Sequence, residues 1–174
     1  MGPNSVQDAA KALVGLPLTV ARRAADMRIF HFGQIREDGG GTVGQYALHV
    51  QCPWRIDGPA GIITGRSDLW EPVSGNTMPD AWEPGVDDNV QDVRLGQLLA
   101  GFDTSTHSHV HTGSRLVVEQ VQASAVGDLD IRLSGGYRLI LFPSGSIGEA
   151  WRLFAPDRDR PHFVVEGSAA PGPS

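Results

Sequence analysis

The sequence predicts an α+β domain: two antiparallel β-meanders forming a curved sheet or half-barrel, with two short helices. Three observations carry this. Apolar residues alternate with polar ones at period two over most of the chain, as in half-buried strands. Helical spacing of apolar residues occurs in only two places, at residues 5–14 and 89–101. Two strand-rich stretches resemble each other, which points to a duplicated unit.

Taken in order, residues 5–14 read as a helix. Ser5 caps it with Asp8 three positions on, and Val6, Ala9, Ala10 and Leu13 share one face. Gly15 and Pro17 end it. Strands follow at 18–23, 26–32 and 44–56. In the last, Tyr46, Leu48, Val50, Cys52 and Trp54 make the apolar face. Residues 36–41 read as a flexible turn. Short strands are expected around Ile62-Ile63 and Asp68-Leu69-Trp70. Residues 71–85 contain three prolines and no periodicity. The second helix, 89–101, is expected to start on an Asp88/Gln91 capping box. Residues 103–114 read as a polar loop. The remaining strands are expected at 115–123, 128–133, 137–142, 151–154 and 162–165. Gly135-Gly136 supplies the positive φ of the clearest hairpin. Meander one thus covers about 16–70 and meander two about 115–166 of a single domain, 1–166. Residues 167–174 read as a flexible tail.

The duplication aligns residues 26–33 with 128–135 and residues 46–50 with 137–141. Each copy has an Asp, two aliphatic positions and a Gly, then a Tyr-x-Leu strand. The order Tyr46-x-Leu48-x-Val50 into Pro53-Trp54-Arg55-Ile56, a Leu98-Leu99 helix, residues 126–139 and then residues 149–154 resembles small uncharacterised bacterial proteins grouped as domains of unknown function in high-GC bacteria. One lysine against thirteen arginines fits such an origin. The resemblance implies an α+β meander fold and no particular activity.

Composition narrows the function classes. The chain has 174 residues, 40% of them hydrophobic and 20% charged, enough apolar content for one core. A net charge of −6 argues against a nucleic-acid binder, which needs basic surface to displace counterions. No apolar run reaches the roughly 20 residues of a membrane span, and residues 1–6 do not resemble a secretory signal. The single Cys52 leaves no internal disulfide or cysteine-based zinc site. A cytoplasmic location is the expectation.

The most distinctive chemical motif is His107-Ser108-His109-Val110-His111. In an extended segment the three imidazoles fall on one side, about 6.5–7 Å apart. They are candidate ligands for Zn or another transition metal, with Asp103 as a fourth. Set against this is a solvated polar connector that binds metal only opportunistically. Glu71, Asp80, Glu83, Asp87 and Asp88 around Trp70 and Trp82 could form a carboxylate pair or a docking surface, against the plainer reading of a solvated loop. Cys52 reads as a buried inert thiol, His31 and His49 as structural histidines. Arg55, Arg138 and Arg152 could line an anion site if their strands adjoin, and read equally well as surface arginines. No nucleophile-elbow, phosphate-loop or dinucleotide motif occurs.

Three functions are therefore expected in turn. The first is a non-catalytic binding or protein-interaction module, immunity-like or accessory, with an unknown protein partner. The second is a metal-binding protein or metal-dependent hydrolase using His107, His109 and His111. The third is a small-ligand carrier with a sizeable apolar pocket between the curved sheet and the helix at 89–101. Exposed edge strands allow a homodimer through sheet extension.

Overall fold

A computed structural model describes residues 5–38, 41–73, 82–83, 88–156 and 158–167. The fold class read from the sequence holds: antiparallel meander sheets with two short helices. The strands divide between two open sheets. In chain order they are β1 (Leu18–Ala24), β2 (Met27–Phe32), β3 (Arg36–Asp38), β4 (Gly41–Val43), β5 (Tyr46–Val50), β6 (Trp54–Gly58) and β7 (Gly61–Gly65). After these come β8 (Phe102–Asp103), β9 (Ser108–Val110), β10 (Val118–Ala123), β11 (Leu129–Leu133), β12 (Tyr137–Leu141), β13 (Glu149–Phe154) and β14 (Phe163–Glu166). The larger sheet runs β14-β13-β5-β2-β1-β9-β8 and the smaller β10-β11-β12-β6-β7, while β3 and β4 form a separate hairpin.

The expected strand at 44–56 is two strands in different sheets. β5 pairs with β2 and β13, whereas β6 pairs with β12 and β7. Pro53, which has no N–H for a ladder, lies between them. The expected strand at 68–70 is instead part of a 3₁₀ turn, Arg66–Trp70, where Asp68 accepts from the Thr64 hydroxyl at 2.9 Å. Where residues 36–41 were expected to form a flexible turn, Arg36–Asp38 pairs with Gly41–Val43 as β3 and β4. The loop expected at 103–114 contributes β8 and β9 to the edge of the larger sheet. Gly39, Gly40, Asp157 and the tail beyond Gly167 lie outside the described residues.

The duplication is present in the topology. The first half places β1-β2-β5 in the larger sheet and β6-β7 in the smaller; the second places β10-β11-β12 in the smaller and β13-β14 in the larger. The exchange is reciprocal, since β5 pairs with β13 and β6 with β12. Smaller features repeat too. β1 carries a bulge between Leu18 and Val20, and β10 carries one between Val118 and Gln120. The Leu18 N–H donates to Leu116 O and the Val118 N–H to Leu16 O, both at 2.9 Å, around a bridge between Pro17 and Val117. The sequence alignment is one residue out of register: Phe32 and Leu133, both opposite a tyrosine, are the true equivalents.

The core lies between the sheets. Phe30, Leu48 and Leu153 form one inner row of the larger sheet, and Val121, Ile131, Leu139 and Ile56 one inner row of the smaller. Phe30 and Trp54 meet edge to face across the gap, with centroids 5.2 Å apart. The first helix, α1 (Val6–Ala10), is capped as expected: the Asp8 N–H donates to the Ser5 hydroxyl at 3.1 Å. It is tied to β10 by Gln7, which donates to Val121 O and accepts from the Ala123 N–H.

The outer face of the larger sheet holds the two structural histidines. His31 is fully buried, and its Nδ1 accepts from the Gly44 N–H at 3.1 Å. Burial first, then the charge of Arg22, pushes its pKa down to about 3, and His49 is pushed down to about 4, chiefly by burial. A histidine lowered in the fold leaves the unfolded chain binding more protons between its folded pKa and about 6.5. Stability is therefore full above that upper limit and falls as pH drops toward 3. The slope for His31 approaches about 1.4 kcal/mol per pH unit in mid-window. Urea titrations between pH 7 and 4 should show this decline, and His31→Gln should flatten it.

Candidate functional site

The smaller sheet stops at β7, and there a helix takes over the covering of the larger sheet. This helix, α2 (Val90–Leu99), begins one residue later than the capping box expected at Asp88 and Gln91. Asn89 is the cap. Its side chain accepts from the Asp92 N–H at 2.9 Å and donates to the Asp92 carboxylate at 2.8 Å. Ala100 ends the helix in the left-handed region. Gln91 donates to Gly65 O and Arg66 O, and Arg94 donates to Ile63 O, which binds the helix to the β7 side of the smaller layer.

Beneath α2 the inner face of the larger sheet changes character. The row that holds Phe30 continues outward through Ala21 and His109 to Phe102. The next row places Arg23 directly opposite Arg28. Like charges facing each other across a pair are destabilising unless an anion stands between them. Asp92 supplies it, at 2.8 Å from Arg28 Nη2 and 3.3 Å from Arg23 Nη2. Arg28 is 1% exposed and also donates to the Gln91 side chain. Burial lowers the pKa of Arg28, and Asp92 opposes that shift. For Asp92, burial works toward protonation, but Arg28, Asn89 and Arg23 outweigh it and hold the carboxyl below its usual range.

These groups floor a half-open cavity of about 740 Å³ whose walls include Val93, Gly96, Phe102, His107 and His109, with Asp88 also on its lining. Gly96 makes the cavity's tight side. A Cβ there would stand 3.2 Å from His109 Cε1, so glycine lets helix and strand approach. Burial lowers the pKa of His109. Arg23 Nε, Arg28 Nε and His109 Nδ1 are buried without a hydrogen-bond partner.

The three histidines of the sequence motif are divided. His107 sits at φ +49° in the turn before β9, which breaks the alternation on which a shared metal depends. His109 lines the cavity beside Phe102, with ring centroids 5.2 Å apart. His111, past the end of β9, belongs to a different cavity, and its Nδ1 lies 3.3 Å from the Leu99 carbonyl. Asp103, the candidate fourth ligand, accepts from the Ser105 N–H, the Ser105 hydroxyl and the Thr42 hydroxyl, bonds that hold its carboxyl well below the usual range. Among the described residues no group of three or more His, Cys, Asp or Glu side chains is placed to hold a metal ion.

Of the three candidate anion-site arginines, Arg55 and Arg138 sit on adjoining strands, β6 and β12, and line one cavity, while Arg152 belongs to the other sheet; each pairs with a nearby carboxylate, Asp57, Asp130 and Glu149 respectively. Cys52 is buried and its thiol is pushed up to about 11, chiefly by burial, so it is a poor nucleophile. In the acidic stretch, Asp80 and Asp87 lie outside the described residues. Glu71 O accepts from the Val90 N–H at 2.9 Å, and Trp82 Nε1 donates to Asp88 O at 3.3 Å. No helix among the described residues is long and apolar enough to cross a membrane.

The sequence placed a pocket between sheet and helix but expected it to be apolar. Arg23, Arg28 and Asp92 were missed as site residues. The available signal was two arginines in strand positions whose neighbours are core residues. No family model, curated protein or solved structure matches the chain.

Proposed function

We propose that the chain binds a small anionic molecule in the cavity beneath α2. The carrying observation is that Arg23 and Arg28, opposite each other on β1 and β2, share the single carboxylate of Asp92. Two guanidinium charges against the one carboxylate between them leave a unit of positive charge at the floor, while Asp88, the other carboxylate on the lining, is an exposed residue. A carboxylate or phosphate is the natural complement, and guanidinium geometry suits both. A cavity of about 740 Å³ has the size of small-molecule sites. Phe102, His107 and His109 offer ring faces and edges for an organic body attached to that anion. Among the described residues that line the cavity none carries a hydroxyl or thiol, which favours binding over covalent chemistry.

Thermal-shift and calorimetric titration with inorganic phosphate, benzoate and a phenyl phosphate ester tests this. Arg23, less deeply buried than Arg28, is the residue to vary. Saturable stabilisation that drops at least tenfold in affinity in Arg23→Gln supports the proposal. Absence of binding by all three probes, or binding indifferent to Arg23→Gln, overturns it. A parallel Zn²⁺ titration tests the metal alternative: stabilisation by Zn²⁺ that is lost in a His107→Ala/His109→Ala double variant would favour a metal site instead.

A further inference from the structure

A second cavity, of about 510 Å³, lies past the end of β9, with Pro17, Ile35, Gln34, Gln45, His111 and Gly113 in its lining. His111 is 6% exposed. Its main-chain N–H donates to Thr19 O at 2.8 Å, which fixes the backbone beside β1. Its Nδ1 faces the Leu99 carbonyl, one of the last carbonyls of α2, which have no partner within the helix. A carbonyl only accepts, so in the neutral ring Nδ1 carries the proton and Nε2 presents a bare lone pair. That Nε2 is buried and has no donor.

Gly113 packs against this edge of the ring, where no larger residue fits without a shift. A Cβ at this position would stand 2.8 Å from His111 Cε1 and 3.1 Å from Nε2. The Thr19 hydroxyl on the same lining is already committed, for it donates to Gly33 O at 2.8 Å. Proline, isoleucine and glycine surfaces make much of the remaining wall. The cavity therefore combines apolar wall with a buried, unpartnered acceptor, and Gln34, Gln45 and Thr112 are the other polar side chains on its lining.

We propose that this cavity is a second ligand site, which takes a neutral, mostly apolar molecule carrying one hydroxyl, with the hydroxyl donating to Nε2 of His111. It is independent of the anion site, sharing none of its lining residues. A buried acceptor rejects an analogue that cannot donate, because the acceptor is then desolvated without a bond.

The test is a titration of the ¹⁵N-labelled full chain with phenol and, separately, with anisole, followed by chemical-shift changes of Gly113, Thr112 and the His111 ring nitrogens. Phenol should bind saturably, with shifts centred on these residues, and anisole at least tenfold more weakly. Gly113→Ala should weaken phenol at least fivefold, and His111→Phe should abolish the preference for phenol over anisole. Equal binding of the two probes, shifts confined to other residues, or no saturable shift with either probe would overturn the proposal. The comparison of probes on the unaltered protein stands even where a variant fails to fold.

Discussion

Asp92→Ala should lower the thermal midpoint by roughly 10 °C. The substitution leaves Arg28, almost wholly buried, and Arg23 facing each other without their common counter-ion. Removing one partner of a buried ion pair costs about 3–5 kcal/mol, because the remaining charge is stranded. Asp92 is partly exposed, which puts the expectation near the lower figure, about 3 kcal/mol. For a chain of this length each kcal/mol moves the midpoint by about 2–4 °C. Arg28→Met should cost less than Asp92→Ala, since it removes the buried charge itself and fills much of the same volume. Calorimetry on both variants decides this, and an Asp92→Ala midpoint within 2–3 °C of the unaltered protein would contradict the account. The pH dependence has a fixed sign. A carboxyl held below its usual range stabilises the fold above about pH 4 and loses that contribution as pH falls through its folded pKa. The acid limb should therefore be shallower in Asp92→Ala.

Trp151→Ala should be as damaging or more so, at about 3–5 kcal/mol, the range for deleting a large buried aromatic side chain. Trp151 has no exposed surface and lies on the inner face of β13 between Val50 and Val165. Its indole N–H donates to Gly127 O at 2.8 Å, reaching from the larger sheet to the turn between β10 and β11. Truncation opens a cavity at the join of the two sheets and leaves the carbonyl without its donor. Trp151→Phe should recover most of the packing but not the bond, leaving a deficit of about 1–3 kcal/mol. Urea unfolding of the three proteins measures both contributions.

What could be read in the sequence follows from the range of the forces involved. Ser5 with Asp8, Gly135-Gly136 and the alternation through Tyr46–Val50 are local signals, and the corresponding elements form where they were expected. The division of 44–56 between two sheets was not legible, because alternation runs on through Gln51-Cys52-Pro53 and only the partners of β5 and β6 differ. β9 was missed because it pairs with β1, almost ninety positions earlier, through His109 and Val110, and its three residues carry no apolar run of their own. The site followed the same rule. His107, His109 and His111 stood out as neighbours in sequence, yet a left-handed residue and the end of α2 divide them between two cavities. Arg23, Arg28 and Asp92 come together only through strand register and helix docking.

The reciprocal exchange of β6-β7 and β13-β14 bears on how such a chain tolerates being cut. A fragment ending after β7 would carry a projecting two-stranded arm and a three-stranded cradle of matching shape, with the arm's proper seat on the missing portion. Its nearest substitute is another molecule of the same fragment. Expressed alone, such a piece should associate in pairs through mutual insertion, so that the single polypeptide reads as a tethered version of an intertwined couple.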